Sequence, residues 1–253
     1  MTVLITRSEP GASELAQALA ARGIGSSVSP LLQIQALQPW QFSQFDGGRW
    51  NAMPAPSDQP GAMIVLSMHA AQIFCASNWL KQWQDRLVDT HTVAIGEATA
   101  TILRQAGFDP LIPGQASSEG ILQMPLFVQS QSWHNQPIWL VSGVGGRDLI
   151  AQDFTVRLGA RLCKIAVYER VNVPRVAFDV GTIRQVVVAS EQTLRHFARL
   201  WLAQGGDSAV PLLLPSQRLC QVARSLGMSC PINTSGADPE SVVNAICRME
   251  QTK

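Results

Sequence analysis

IWLVSGVGGRDLIAQDFTVRLGA, residues 138–160, decides the fold. An apolar run, Ile138–Val141, meets a small glycine-rich turn and then Ile150, Phe154 and Leu158 at steps of four. That is a buried strand feeding an amphipathic helix. The same order stands near the start as VLITRSEPGASELAQALAARGI, where Leu15, Ala18 and Leu19 follow VLIT. Thr6 to Gly23 and Ser142 to Gly159 are both seventeen residues apart. IVLSMHAAQIF at 64–74 matches VVVASEQTLRHF at 186–197, and AIGEATATILRQAG at 94–107 matches LLLPSQRLCQVARSLG at 212–227. In the last pair Ile102, Leu103 and Ala106 correspond to Val222, Ala223 and Leu226.

Strands alternating with helices of this length predict an α/β chain with parallel sheets covered on both faces. The repeat is too long and too few for a solenoid. Duplicated α/β halves are expected to build two similar lobes with a ligand-binding cleft between them. The stretch Gln38–Gly61, rich in Pro, Gly and Gln, reads as a long surface loop with one short helix at most. Its Trp40, Phe42, Phe45 and Trp50 read as anchors for that loop, with a stacking platform as the alternative. DPESVVNAICRM, from Asp238, reads as a last helix with Asp238 as N-cap and Pro239 in the first turn.

Composition excludes several function classes. Hydrophobic residues make up 46% and charged residues 15% of the chain, enough for a packed core and too apolar for disorder. A formal net charge of +1 without a basic block argues against a nucleic-acid partner. No apolar run approaches the roughly 20 residues of a membrane helix. MTVLITR reads as a first strand and not as a signal peptide. Five scattered cysteines without a CxxC pair fit reduced thiols in a cytoplasmic protein. The four histidines show no metal-ligand spacing, so a metal site is not expected.

Ligands of parallel α/β sheets meet the loops after the strands, where helix N-termini present free N–H groups. The repeat places those loops at Thr6–Pro10, Ser67–Ala70, Gly96–Thr99, Ser142–Arg147, Ser190–Gln192 and Ser216–Leu219. They hold hydroxyls, glycines, Arg7 and Arg147, and they lack a carboxylate pair, a Ser-His-Asp order or a Cys-His pair. The chemistry on offer is anion binding. In Ser142–Arg147 the glycines Gly143, Gly145 and Gly146 let an anion approach the backbone, with Arg147 adding charge. A dinucleotide fingerprint with Glu169 as the acidic partner is the alternative, but the spacing is GxGG and not GxGxxG. Ser67 and Ser190 read either as helix caps or as ligand contacts, and Thr99 either as a contact or as a core residue. Tyr168, the only tyrosine, falls at the end of the second strand of the second half, opposite Leu32. It is either a packing residue or a donor of a proton or hydrogen bond.

Taken together, these segments resemble the uroporphyrinogen-III synthase family. The carriers are ITR at Ile5–Arg7, LS-x-x-A at Ser67, AIG-x-x-TA-x-x-L-x-x-x-G at Gly96 and SSEGIL at Ser117–Leu122. They continue with G-x-GGRDL from Gly143, LGA-x(6)-VYERV through Tyr168, VVVAS at Ser190 and S-x-RL-x-x-x-A-x-x-LG at Ser216. This chain has Leu66-Ser67 and Ala189-Ser190 where the family often has Thr-Ser, and Ser142 where an arginine is frequent.

The resemblance implies two doubly wound parallel-sheet lobes joined by two extended connecting strands. One lobe would hold 1–36 plus 172–253 and the other 37–171, with the active site in the cleft between them. It implies a cyclising lyase without a cofactor that closes hydroxymethylbilane to uroporphyrinogen III with inversion of ring D, in haem biosynthesis. Tyr168 would assist departure of the hydroxyl. Arg7, Ser67, Thr99, Gly143, Gly145, Gly146, Arg147, Ser190 and Ser216 would hold the substrate. A cytoplasmic monomer is expected, with transient contact with the preceding pathway enzyme left open. The competing reading is a two-lobed binding protein for a tetrapyrrole or another polyanion, without catalysis.

Overall fold

The computed structural model describes residues 2–9, 11–128 and 133–251. Pro10, the end of one expected ligand loop, lies outside them. The chain runs β1 (Thr2–Ile5), α1 (Gly11–Ala20), β2 (Gly25–Val28), β3 (Leu32–Asp46), β4 (Arg49–Ala52), β5 (Ala62–Val65), α2 (Met68–Cys75) and α3 (Asn78–Trp83). It continues with β6 (His91–Ala94), α4 (Glu97–Gln105), α5 (Ser118–Leu122), α6 (Pro125–Val128), β7 (Pro137–Gly143), α7 (Leu149–Leu158) and β8 (Arg161–Asn172). The last elements are β9 (Ile183–Val187), α8 (Glu191–Ala203), β10 (Leu212–Leu214), α9 (Gln217–Ser225), β11 (Pro231–Asn233) and α10 (Pro239–Gln251).

Two sheets form, in the orders β11-β10-β9-β1-β2 and β4-β3-β8-β7-β5-β6. All four pairings of the first are parallel. In the second, β5 pairs in parallel with β6 and β7, and β7 with β8. The chain divides into two compact units, Met1–Gln33 with Val171–Lys253 and Ile34–Arg170. β3 and β8 each run across a boundary between them. Each unit draws on both halves of the repeat. β1 and β2 stand with β9–β11, whereas β5 and β6 stand with β7 and β8.

Side chains alternate across a strand, and that period sorts the cores. In the second unit Met63, Val65, Trp139, Val141, Cys163 and Ile165 face Phe74, Leu80 and Leu103 of α2, α3 and α4. Their neighbours Ile64, Ile138, Leu140 and Leu162 face Ile121, Phe127 and Phe154 of α5, α6 and α7. In the first unit Leu4, Val186 and Leu212 meet α8 and α9. Val3, Val187 and Leu213 meet α1 and α10. Both sheets are therefore covered on both faces. Among the described residues, no helix is long and apolar enough to cross a membrane.

The stretch Gln38–Gly61 departs from its reading as a loop with a short helix. β3 continues to Asp46 and turns back as β4 in an antiparallel hairpin, with Phe45 opposite Trp50 and Asp46 opposite Arg49. The second sheet is therefore mixed and not purely parallel. Gly47 and Gly48, at φ +56° and +79°, form the two-residue turn, the left-handed pair that suits the twist of a hairpin. The Asp-Gly-Gly signal was in the sequence, masked by Pro39 and by scattered glutamines that blur the period of two. Trp40 and Phe42 pack on the α2–α3 side, while Phe45 and Trp50 pack on the other.

Candidate functional site

An open α/β sheet receives ligands beyond the carboxyl ends of its strands, where the strand order reverses. In the second sheet β5 leads one way to β6 and β7 leads the other way to β8, so the reversal lies between β5 and β7. A pocket of about 190 Å³ is walled there by Ser67 after β5, by Ser142–Arg147 after β7, and by Lys164, Tyr168 and Arg170 of β8. Trp50 of the hairpin and Ser118 of α5 also line it, with Leu66, Ile95 and Leu140 as its apolar wall.

β8 continues past Tyr168, so this residue lies within the strand and not at its end. Tyr168 is buried, 2% exposed. The register runs from Ser142 opposite Ala166 to Gly143 opposite Tyr168, skipping Val167. Such a bulge re-aims the side chain that follows it. The Val144 N–H donates to the Tyr168 carbonyl at 2.8 Å. A Cβ on Gly143 would lie 2.6 Å from the Tyr168 ring, so only glycine leaves room for the phenol. The hydroxyl is 3.2 Å from Ser67 Oγ and accepts from Arg170 Nη2 at 3.4 Å. The Ser67 Oγ also accepts the Ala70 N–H at 3.1 Å, capping α2. Cap and contact, the two alternatives for Ser67, hold together. His69 packs 6.1 Å from the tyrosine ring. Burial, with the nearby Arg170 charge, pushes its imidazole below the ordinary value.

Beside the phenol, Gly145 and Gly146 take φ +78° and +97°, backbone that side chains disfavour. Among the described residues, the N–H groups of Gly145, Gly146 and Arg147 have no protein acceptor. The Arg147 side chain is 73% exposed and ion-paired to Glu119 at 2.9 Å. Lys164 Nζ donates to the Gly145 carbonyl at 2.5 Å. Burial lowers its pKa, against the opposing pull of Asp148. The site thus offers free amides, three cations and one buried phenol hydroxyl. It can hold an anion and present a neutral donor beside it.

The pocket gathers Ser67, Gly143, Gly145, Gly146, Arg147 and Tyr168. Thr99, 3% exposed in the first turn of α4, is not on its wall. Arg7, Ser190 and Ser216 belong to the first unit. There the strand order reverses between β1 and β9, and Arg7 and Ser190 follow those strands. Arg7 donates to the Ala237 carbonyl at 2.7 Å. Ser190 caps α8 through Thr193 and Ser216 caps α9 through Leu219. Sequence reasoning missed Trp50, Lys164 and Arg170. Lys164 and Arg170 stand on the same strand as Tyr168, four residues before it and two after, a period of two that the sequence carried but that placing Tyr168 at a strand end left unread.

A family model described as uroporphyrinogen-III synthase HemD matches residues 13–244. A uroporphyrinogen-III synthase of Escherichia coli K12 is 27% identical over 97% of this chain and all of its own length. The crystal structure of uroporphyrinogen-III synthetase from Helicobacter pylori 26695 covers 98% of this chain and 99% of its own, with a TM-score of 0.57 at 12% identity. A mutant uroporphyrinogen III synthase from Thermus thermophilus covers all of both chains at a TM-score of 0.52 and 14% identity. The likeness to these two structures is one of fold.

Proposed function

The chain belongs to the uroporphyrinogen-III synthase family, and from that premise we infer that it cyclises hydroxymethylbilane to uroporphyrinogen III and water. The observation that carries the inference is the family match, which runs through both units. The site chemistry agrees. The substrate is a linear tetrapyrrole with eight carboxylates, and the pocket supplies free amides and cations. At about 190 Å³ it is smaller than the roughly 300–1,000 Å³ of ordinary small-molecule sites, so it takes one part of that ligand. Arg7, Thr99, Ser190 and Ser216 stay candidate contacts for the rest.

Ring A loses its hydroxyl to give an azafulvene, and ring D attacks through its substituted carbon. The resulting spiro intermediate opens and re-closes with ring D inverted. The substrate also closes unaided to the type I isomer, so the enzyme's main task is to hold a geometry. Tyr168 donates a hydrogen bond or proton to the departing hydroxyl, with Ser67 and Arg170 fixing the phenol. The protein works without a cofactor, as a monomer in the cytoplasm. The five cysteines are free, in keeping with that setting. Supplying hydroxymethylbilane and resolving the macrocycles tests the reading. Accumulation of the type III isomer supports it, and type I alone sinks it in favour of a binding protein.

A further inference from the structure

We propose that Lys164 is a positioning residue that sets the glycine turn for anion capture, braced by Trp50 and Asp148. The proposal rests on the pocket being a substrate site. Gly145 and Gly146 both carry positive φ and no side chain to restrain them, so the turn is permissive and needs an external hold. Lys164 Nζ supplies it at the Gly145 carbonyl, 2.5 Å away. The Gly145 C=O and the Gly146 N–H share one planar trans peptide and point in opposite directions. Pinning the carbonyl therefore aims the next amide, which has no protein acceptor among the described residues.

The lysine is itself held. Its ammonium lies 5.4 Å from the centroid of the Trp50 ring, within cation–π range. Trp50 Nε1 donates to Asp148 Oδ1 at 2.7 Å, and Asp148 is the residue that opens α7. The brace thus joins β8 and the β3–β4 hairpin to the turn at Gly145 and at Asp148. Arg147, the cation inside the motif, is turned outward to Glu119 and does none of this.

Lys164→Met keeps most of the stem and removes the donor, while Lys164→Arg keeps a donor. The methionine variant is expected to raise KM for hydroxymethylbilane about 10-fold, as loss of a charged hydrogen bond would, with kcat within about two-fold. The arginine variant should restore most of the loss. In ¹H–¹⁵N spectra of the whole protein, the Gly145 and Gly146 amides should shift or broaden in Lys164→Met. Trp50→Phe, which removes the bond to Asp148 and weakens the ring's hold on the ammonium, should raise KM about 3-fold and move the same amides. An unchanged KM with unmoved amide signals in both variants overturns the role. If Lys164→Met does not fold, Trp50→Phe decides by the same two readouts. If the native protein forms no type III macrocycle, the substrate assignment falls, and the amide signals still settle whether Lys164 shapes the turn.

Discussion

Tyr168 is where position and chemistry coincide: a buried phenol whose hydroxyl reaches the pocket through Ser67 and Arg170. Tyr168→Phe is expected to lower kcat ~10-fold to ~100-fold and to shift products toward the type I isomer. The loss is partial because positioning carries most of the catalysis, where general acids contribute ~10²–10⁴. Full turnover with an unchanged isomer ratio would remove the role. His69 beside it gives a pH signature. Its native pKa lies below the ordinary 6.5 because of burial and Arg170. As pH falls through 6.5, the unfolded chain takes up a proton that the folded chain does not, so stability declines with acid. His69→Gln should flatten the Tm-against-pH curve below that point, and a slope identical to the native one would refute the assignment. Tyr168 was legible as the lone tyrosine in a repeat register. Ser67 was legible too, but Arg170 was not, since the sequence placed Tyr168 at a strand end where β8 in fact runs on to Asn172.

At the scale of elements, serine caps link helices to chemistry. Ser67 and Ser77 both accept N–H groups at helix starts, from Ala70 and Leu80 at 3.1 Å each. Either change to alanine should cost about 1 kcal/mol in urea unfolding. Only Ser67→Ala should also slow turnover, because only Ser67 touches the Tyr168 hydroxyl. Equal turnover in the two variants would detach the cap from the site. Strand–helix alternation was plain in the sequence because buried strands and amphipathic helices carry different periods. The β3–β4 hairpin was not, although Asp46-Gly47-Gly48 announced its turn. It is also the element that brings Trp50 to Lys164, so the unread hairpin is what hid Trp50 as a site residue.

At the scale of the molecule, the repeat's halves are exchanged: each unit is assembled from strands of both. The second unit is one continuous segment, Ile34–Arg170, and expressed alone it should unfold cooperatively. In the first unit the Val173 N–H donates to the Leu31 carbonyl at 3.0 Å, so its two segments meet where they were cut. Residues 1–33 joined to 171–253 by a short Gly/Ser linker should likewise give a single urea transition. A non-cooperative profile for either piece would show that it needs the other. The fold class was legible because the repeat spans both sheets, whereas the exchange was expected only from the family resemblance and not from the repeat itself. That exchange also sets a timetable for synthesis. β1 lies between β2 and β9 inside its sheet, yet β9, the central strand, begins at Ile183. At ~5–20 residues per second, the nascent chain keeps the apolar edge of β1 waiting roughly 9–36 s for that partner. The second unit can close in the meantime, which leaves chaperones an early client in the first unit alone.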